Sequence, residues 1–353
     1  MIGSKYSFVF AALPLFLSRL WAGRKGIRKL ASTSSEFNPL APQVWTAEHK
    51  RDIWCGMIFI VANPSAGRGK ASRVVRELEA TRLDPREARI LTTQAPDDEA
   101  RLADQALAEG AKTIVVVGGD GTCSRVAQQI LDARAQCALA VIPCGTGDDI
   151  AKTLGVYGAT PTEVLRLVAE GNTTRIDVGR ADGRYFLNTC GFGFDSSVLE
   201  ATRRVRFLKG DALYIYAALA QLFSYGGVEV SIDGAIGPKT QTMLMAIASN
   251  GRSLGGAFRI APAASATDGK LDFCIVGDNN VWGRIRLFAG ALRGTHLTLP
   301  GVTSVKAVRL SLTFESNPVM EMDGELRRAT SRTVTIECLP KALAVVAAPG
   351  SRL

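Results

Sequence analysis

Residues 115–131 read VVVGGDGTCSRVAQQIL, and this stretch narrows the folds open to the chain more than any other. The apolar run Ile114 to Val117 reads as a buried strand, and a helical pattern takes over by Cys123. Three glycines and one carboxylate stand between them. A strand that passes through a glycine turn into a helix is the repeating unit of a parallel α/β sheet.

The unit recurs. A strand at Met57–Ala62 leads through NPSAGRGK to a helix over about Ala71–Ala80. A strand at Ala88–Leu91 precedes a helix over about Asp97–Glu109, and Thr113–Val117 precedes one over about Cys123–Ala133. Strand Ala138–Ile142 runs into PCGTGDDIAKTLG, followed by a helix over Pro161–Glu170. This alternation predicts a parallel sheet covered by helices.

After Gly171 short strands dominate: Arg175–Val178, Tyr185–Cys190, Val228–Ile232, Thr242–Ala248, Leu271–Val276, Val305–Thr313, Val319–Met322 and Thr333–Glu337. Their Gly- and Asp-rich turns predict an antiparallel second domain. The expected division is a leader and linker at 1–55, an α/β domain at 56–170 and a β domain at 171–339, with the tail 340–353 free to return to the first. One apolar helix is expected at about Asp211–Ser224, and its sequence LYIYAALAQLF needs a partner surface.

Net charge bears on partners once it is located. Of the +9 on 353 residues, residues 1–51 supply +6, from eight Lys and Arg against Glu36 and Glu48. The rest is close to balanced, which argues against a nucleic-acid partner. A basic flank beside the apolar run Tyr6–Trp21 suits an anionic membrane surface. That run, broken by Pro14 and Arg19, is too short to span a bilayer. It reads first as an interfacial anchor, with an unstructured extension or a targeting segment as alternatives. Seven cysteines without a CxxC pair, beside only two histidines, exclude a Cys/His zinc site and read as reduced thiols of a cytosolic protein.

In open α/β sheets ligands gather at the carboxyl ends of the strands. Three of those ends carry unusual turns: Asn63–Gly67, Gly118–Thr122 and Gly145–Asp149. Glycine lets backbone N–H groups approach a phosphate, and a following helix N-terminus adds a favourable field. Asp120 would repel a bare phosphate but suits a cation, or a water on the magnesium of Mg-ATP. Neither a P-loop nor a GxGxxG dinucleotide turn is present. In the second half, ASATDGKLDF gathers Ser265, Asp268 and Asp272, and MEMDGEL places Asp323 and Glu325 on a glycine turn. A carboxylate brought into an interdomain cleft can take a proton from an attacking hydroxyl.

Taken in order, NPSAG, GGDGT, IPCGTGDDIAKTLG, NTCGFGFDSSV, SNGRSLGGAFRIAPAASATDGKLDF and MDGE resemble the diacylglycerol kinase catalytic-domain superfamily, especially its bacterial lipid kinases. Sphingosine and ceramide kinases are relatives. The resemblance runs from Met57 to the C-terminus. It implies an α/β nucleotide-binding domain, a β-sandwich second domain and a cleft between them. Asn63, Pro64, Ser65, Ala66, Gly67, Thr93, Gly118, Gly119, Asp120, Gly121, Thr122, Cys123, Ser124 and Thr146 would contact ATP. Asp120 would act through Mg2+, and Glu325 would be the general base. Ser265 and Asp268, with the Lys270 carbonyl, match a structural magnesium site of the bacterial enzymes.

The third turn departs from the family's GTGND, placing Asp148 where an asparagine is usual. That removes a donor and adds a charge near phosphate, which a base such as Lys152 could absorb. The resemblance therefore implies an ATP-dependent lipid kinase at the inner face of the membrane, with diacylglycerol the leading acceptor and homodimers common among relatives. Two readings of the next segment stay open: Leu213–Phe223 lines a groove for acyl chains or packs as core, and Arg203, Arg204, Arg206 and Lys209 meet anionic headgroups or form a solvated basic face. A soluble kinase of the NAD kinase type would share GGDGT, but its Asn-Glu nucleoside pair is not found in 133–166. A nucleotide- or lipid-binding regulator without turnover is the remaining alternative.

Overall fold

The computed structural model describes residues 57–81, 87–204, 221 and 225–353. The leader, the Asp211–Ser224 helix apart from Gln221, and the side chains of the basic cluster before it lie outside the described residues.

Four parallel strands form the first half: β1 (Ile58–Ala62), β2 (Ala88–Thr92), β3 (Thr113–Gly118) and β4 (Ala138–Pro143), in the order β2-β1-β3-β4. All residues of β1 and β4 are buried, as expected of strands covered on both faces. Helices α1 (Lys70–Ala80), α2 (Asp98–Ala108) and α3 (Asp120–Asp132) supply the crossovers, and α4 (Asp149–Thr153) and α5 (Pro161–Ala169) follow β4. The start of α5 is fixed locally. Thr160 and Glu163 form a reciprocal capping box, and Pro161 occupies the first turn.

The second half contains β5 (Thr173–Ala181), β6 (Arg184–Phe186), β7 (Thr189–Gly193), α6 (Phe194–Arg204), β8 (Val228–Gly234), β9 (Lys239–Ser249), β10 (Leu271–Gly277), α7 (Val281–Arg293), β11 (Val302–Ala307), β12 (Arg309–Phe314), β13 (Val319–Met322), β14 (Glu325–Arg328) and β15 (Thr333–Val346). Its strands pair with one another antiparallel. Two apolar clusters result. One surrounds β1, β3 and β4, and the other lies among the strands from β5 to β15 around Phe186, Phe192 and Phe273. Truncating a wholly buried Phe192 to alanine would cost about 3–5 kcal/mol.

β15 joins the halves. Its first residues pair antiparallel with β12, and Ala344 and Val345 pair parallel with Ala138 and Leu139 of β4. The sequence pattern ended this strand at Glu337. Pro340 lacks an N–H and Lys341 has φ +51°, so the register shifts between Leu339 and Leu343 before pairing resumes.

Other departures have local causes. Tyr185–Cys190 is two strands because the Leu187 and Asn188 N–H groups bond to the Asp323 carboxylate. Val305–Thr313 is also two strands, divided at exposed Val308, and each half has different partners. Helix α7 falls where the sequence pattern places no helix. Asn280 caps it by accepting the Gly283 N–H, and Gly294 ends it in the left-handed region. Among the described residues no helix is long and apolar enough to cross a membrane, and the six described cysteines are buried and form no disulfide.

Candidate functional site

The three glycine turns leave the ends of β1, β3 and β4, which are neighbours in the sheet. Their backbones touch. A Cβ on Gly67, whose φ is +60°, would stand 1.9 Å from the Cys144 carbonyl oxygen, and one on Gly145 would stand 2.8 Å from the Gly119 Cα. Only glycine permits that approach. The result is a floor of main chain from three loops. Thr93, just past β2, joins it through its N–H bond to Ala62 O at 2.9 Å.

Helix α3 begins at Asp120, three residues before the sequence pattern placed it, with Gly119 as N-cap and no side chain capping it. Its first-turn N–H groups thus face the floor as a potential anion site. Asn63 holds its own turn: its Oδ1 accepts the Ser65 N–H at 3.0 Å, and its Nδ2 donates to Glu99 at 2.9 Å. Ser65 and Thr146 are exposed, and Pro64, Ala66 and Gly67 are half-buried. Thr122 and Cys123 turn into the interior. The Thr122 hydroxyl donates to Glu99 at 3.3 Å and lies 3.4 Å from Asn63 Nδ2, packed beneath Gly118, and Cys123 is buried, so both support the floor from behind.

Asp120 Oδ1 accepts the Ile150 N–H at 2.9 Å. Burial, with Asp149 and Asp148 nearby, pushes its carboxyl up to about 7. Asp148 sits at φ +49°, a conformation that asparagine and aspartate share, and its Oδ1 accepts the Gly145 N–H at 2.7 Å. The carboxylate therefore keeps the acceptor that an amide would offer. Lys152 does not pair with it. The Lys152 ammonium bonds to Asp149 Oδ1 at 2.8 Å and Gly256 O at 3.0 Å instead. Burial pushes the Asp148 carboxyl up, against the Gly145 N–H and the fields of Lys70 and Lys152.

The DGE turn reaches this site from the second half. Asp323 (φ +48°) and Gly324 (φ +89°) form the two-residue connection between β13 and β14. Positive φ at both positions is what a type I′ hairpin requires. Asp323 is buried and not solvated. It accepts N–H bonds from Leu187, Asn188 and Thr189 at 2.8–3.0 Å and the Ser124 hydroxyl at 2.9 Å. Because Ser124 lies on α3, this clamp brings the hairpin against the GGDGT helix. Glu325 follows, with Oε1 3.3 Å from where a Cβ on Gly121 would stand.

Arg125 was not foreseen, though it lies next to the motif. Its Nη2 is 2.5 Å from Glu325 Oε1 and 2.8 Å from Asp97, while its Nη1 is 3.4 Å from Glu99. Glu325, Arg125, Arg184 and Arg327 line a polar cleft of about 450 Å³ with Asp97 and Ser124. Paired arginines of this kind suit phosphate-bearing ligands.

Ser265, Asp268 and Lys270 lie elsewhere, in the loop before β10. Asp268 Oδ2 meets the Lys306 ammonium at 2.6 Å, and Ser265 Oγ donates to Leu353 O at 2.8 Å. Among the described residues no three His, Cys, Asp or Glu side chains are grouped to hold an ion.

Comparison with known proteins bears on this arrangement. Residues 57–181 match the diacylglycerol kinase catalytic domain, and residues 188–347 match the YegS C-terminal NAD kinase beta sandwich-like domain. A Mycobacterium tuberculosis protein named diacylglycerol kinase is 30% identical over 261 residues, covering 71% of this chain and 83% of its own length. This chain belongs to the diacylglycerol kinase family. A Pseudomonas fluorescens family member, carrying the name probable lipid kinase YegS-like, is 31% identical and covers 72% of this chain and 86% of its own. The solved structure of a Bacillus anthracis diacylglycerol kinase shares the fold at a TM-score of 0.64 and 22% identity, over 84% of this chain and 98% of that one. Family membership makes the chain a phosphotransferase with an alcohol acceptor, a lipid kinase whose antiparallel half is the family's β-sandwich.

Proposed function

We propose that the protein transfers the γ-phosphoryl group of ATP to the hydroxyl of a membrane lipid, with diacylglycerol as acceptor and phosphatidic acid as product. The observation that carries this reading is the approach of Glu325 to Gly121 at the uncapped start of α3. A carboxylate there meets an acceptor hydroxyl beside a backbone floor suited to phosphate.

The residues fit the groups required. The loop floor and the α3 N-terminus offer main-chain donors to the ATP phosphates, and Asp120, whose Oδ1 takes the Ile150 N–H, is the carboxylate that would face a cation. Mg2+ bound with ATP would offset charge on the phosphoryl oxygens, and Asp120 would hold it. Glu325 accepts or orients the hydroxyl proton during in-line attack on the γ-phosphorus. Arg125 aligns Glu325, and Arg184 and Arg327 offer positive charge along the cleft. Positioning by these groups supplies much of the acceleration. An apolar cavity of about 70 Å³ lies beside Phe194, Leu244, Phe258 and Phe288, apart from the polar cleft, and the enzyme would work at the membrane surface where its acceptor lies.

The test is transfer from γ-labelled ATP with magnesium into mixed micelles that each carry one lipid: diacylglycerol, phosphatidylglycerol or a sphingoid base. NAD serves as the soluble control and Glu325→Ala runs beside the wild type. Label entering diacylglycerol, and lost in the variant, supports acceptor and base together. Label entering another lipid replaces the acceptor, and label entering NAD overturns the lipid reading. ATP binding without transfer to any acceptor makes the chain a regulator.

A further inference from the structure

A lysine stands at the place where the sequence suggested a metal ion. The register of β10 and β11 sets Lys306 directly opposite Asp272, and their side chains share one face of the sheet. The Lys306 Nζ lies 2.6 Å from Asp268 Oδ2, 3.1 Å from the Ala263 carbonyl oxygen and 3.3 Å from Asp272 Oδ2. The ammonium thus donates to two oxygens, from Asp268 and Ala263, and forms an ion pair with the carboxylate of Asp272. Asp272 is buried, so its carboxylate has reason to need a nearby cation.

The residues expected to bind a metal are committed elsewhere. Asp268 Oδ1 accepts the Lys270 N–H at 3.1 Å, which together with Lys306 uses both of its oxygens. Ser265 Oγ donates to Leu353 O at 2.8 Å and lies 3.2 Å from Thr267 Oγ1. Magnesium demands a near-octahedral set of oxygens at close range. Here it would meet one carboxylate already paired, one hydroxyl turned away and a fixed positive charge in contact with its ligand. The residues present do not fit it.

We propose that the Lys306 ammonium is a built-in replacement for a divalent cation at this place, tying β11 to the Ala263–Asp272 segment, and that the protein takes up no metal ion there. The sheet register fixes the position of this charge, so the contact needs no ion from solution. It is separate from the cleft and does not depend on which lipid is the acceptor.

Mn2+ binding to the nucleotide-free full chain, followed by electron paramagnetic resonance and by thermal unfolding, tests this. The wild type and Asp268→Asn should bind Mn2+ identically, whatever the Asp120 region takes up. Lys306→Met should bind one ion more than the wild type, with a Tm rise of roughly 5 °C at saturating Mn2+, and Asp268→Asn in that background should abolish both changes. A wild-type ion lost in Asp268→Asn would overturn the proposal, as would a folded Lys306→Met that gains no ion. If Lys306→Met does not fold, the comparison of wild type with Asp268→Asn still decides whether an ion sits there.

Discussion

The Arg125 guanidinium lies 2.5 Å from Glu325 Oε1 and holds Asp97 with the same nitrogen. Its other terminal nitrogen faces Glu99, which is buried, so one arginine from α3 organises three carboxylates around the cleft. Removing it takes the aligning partner from Glu325 and leaves Glu99 without its counter-charge. Arg125→Ala is expected to lower kcat by about 10–100-fold and stability by about 1–3 kcal/mol. Steady-state transfer and urea unfolding check the two effects, and an unchanged kcat would separate Arg125 from the chemistry.

Glu325 itself begins β14, where Met322 is its cross-strand partner. Glu325→Gln preserves shape and removes the proton acceptor. Transfer should fall by about 10²–10⁴-fold with ATP affinity unchanged, as single-turnover rates and calorimetry would show. A loss smaller than tenfold would assign Glu325 to orientation alone.

Asp323 clamps three backbone N–H groups and the Ser124 hydroxyl from inside the protein. Asp323→Ala leaves four donors without an acceptor and puts alanine at positive φ, for a loss of at least about 3 kcal/mol in urea unfolding. Asp323→Asn tolerates the backbone conformation and keeps one acceptor oxygen, so it should fall between the two.

Asp148→Asn keeps the acceptor for the Gly145 N–H while removing a charge beside Asp120 and Asp149. The fold should be unaffected, and ATP binding measured by calorimetry should tighten by roughly threefold to tenfold. Weaker binding would mean that the carboxylate assists the nucleotide.

His296 gives a pH signature. Burial pushes its imidazole below the ordinary 6.5, against the pull of the Ile260 and Gly290 backbone. The unfolded chain then binds the proton more readily, so this contribution is complete above about pH 6.5 and is lost as pH falls towards the folded value. Thermal scans between about pH 7 and pH 5 should show a shallower fall in Tm for His296→Leu than for the wild type. Parallel curves would remove His296 from the acid sensitivity.

The parallel half was legible because each of its strands is an apolar run closed by a glycine turn, as at Val115–Gly121. The start of α3 lies three residues before the sequence pattern places it because Gly119 and Gly121 look like loop, whereas Gly119 is a cap and Gly121 lies within the helix. The DGE hairpin was visible as a turn, but no local pattern reports that Asp323 is buried, since the donors that bury it come from β6–β7 and α3. Arg125 likewise gains its meaning from Glu325, distant in sequence. Lys306 was invisible for the same reason, since its partners are set by the register of β10 against β11.

β15 carries a consequence for synthesis. Val345 completes the outer side of β4 by pairing with Leu139, although β4 leaves the ribosome long before β15 exists. The half that faces the nucleotide cannot finish its sheet as it emerges. It waits, with one edge of β4 unpaired, until the whole β-rich half has been translated, and nearly the full chain must be made before either half is closed.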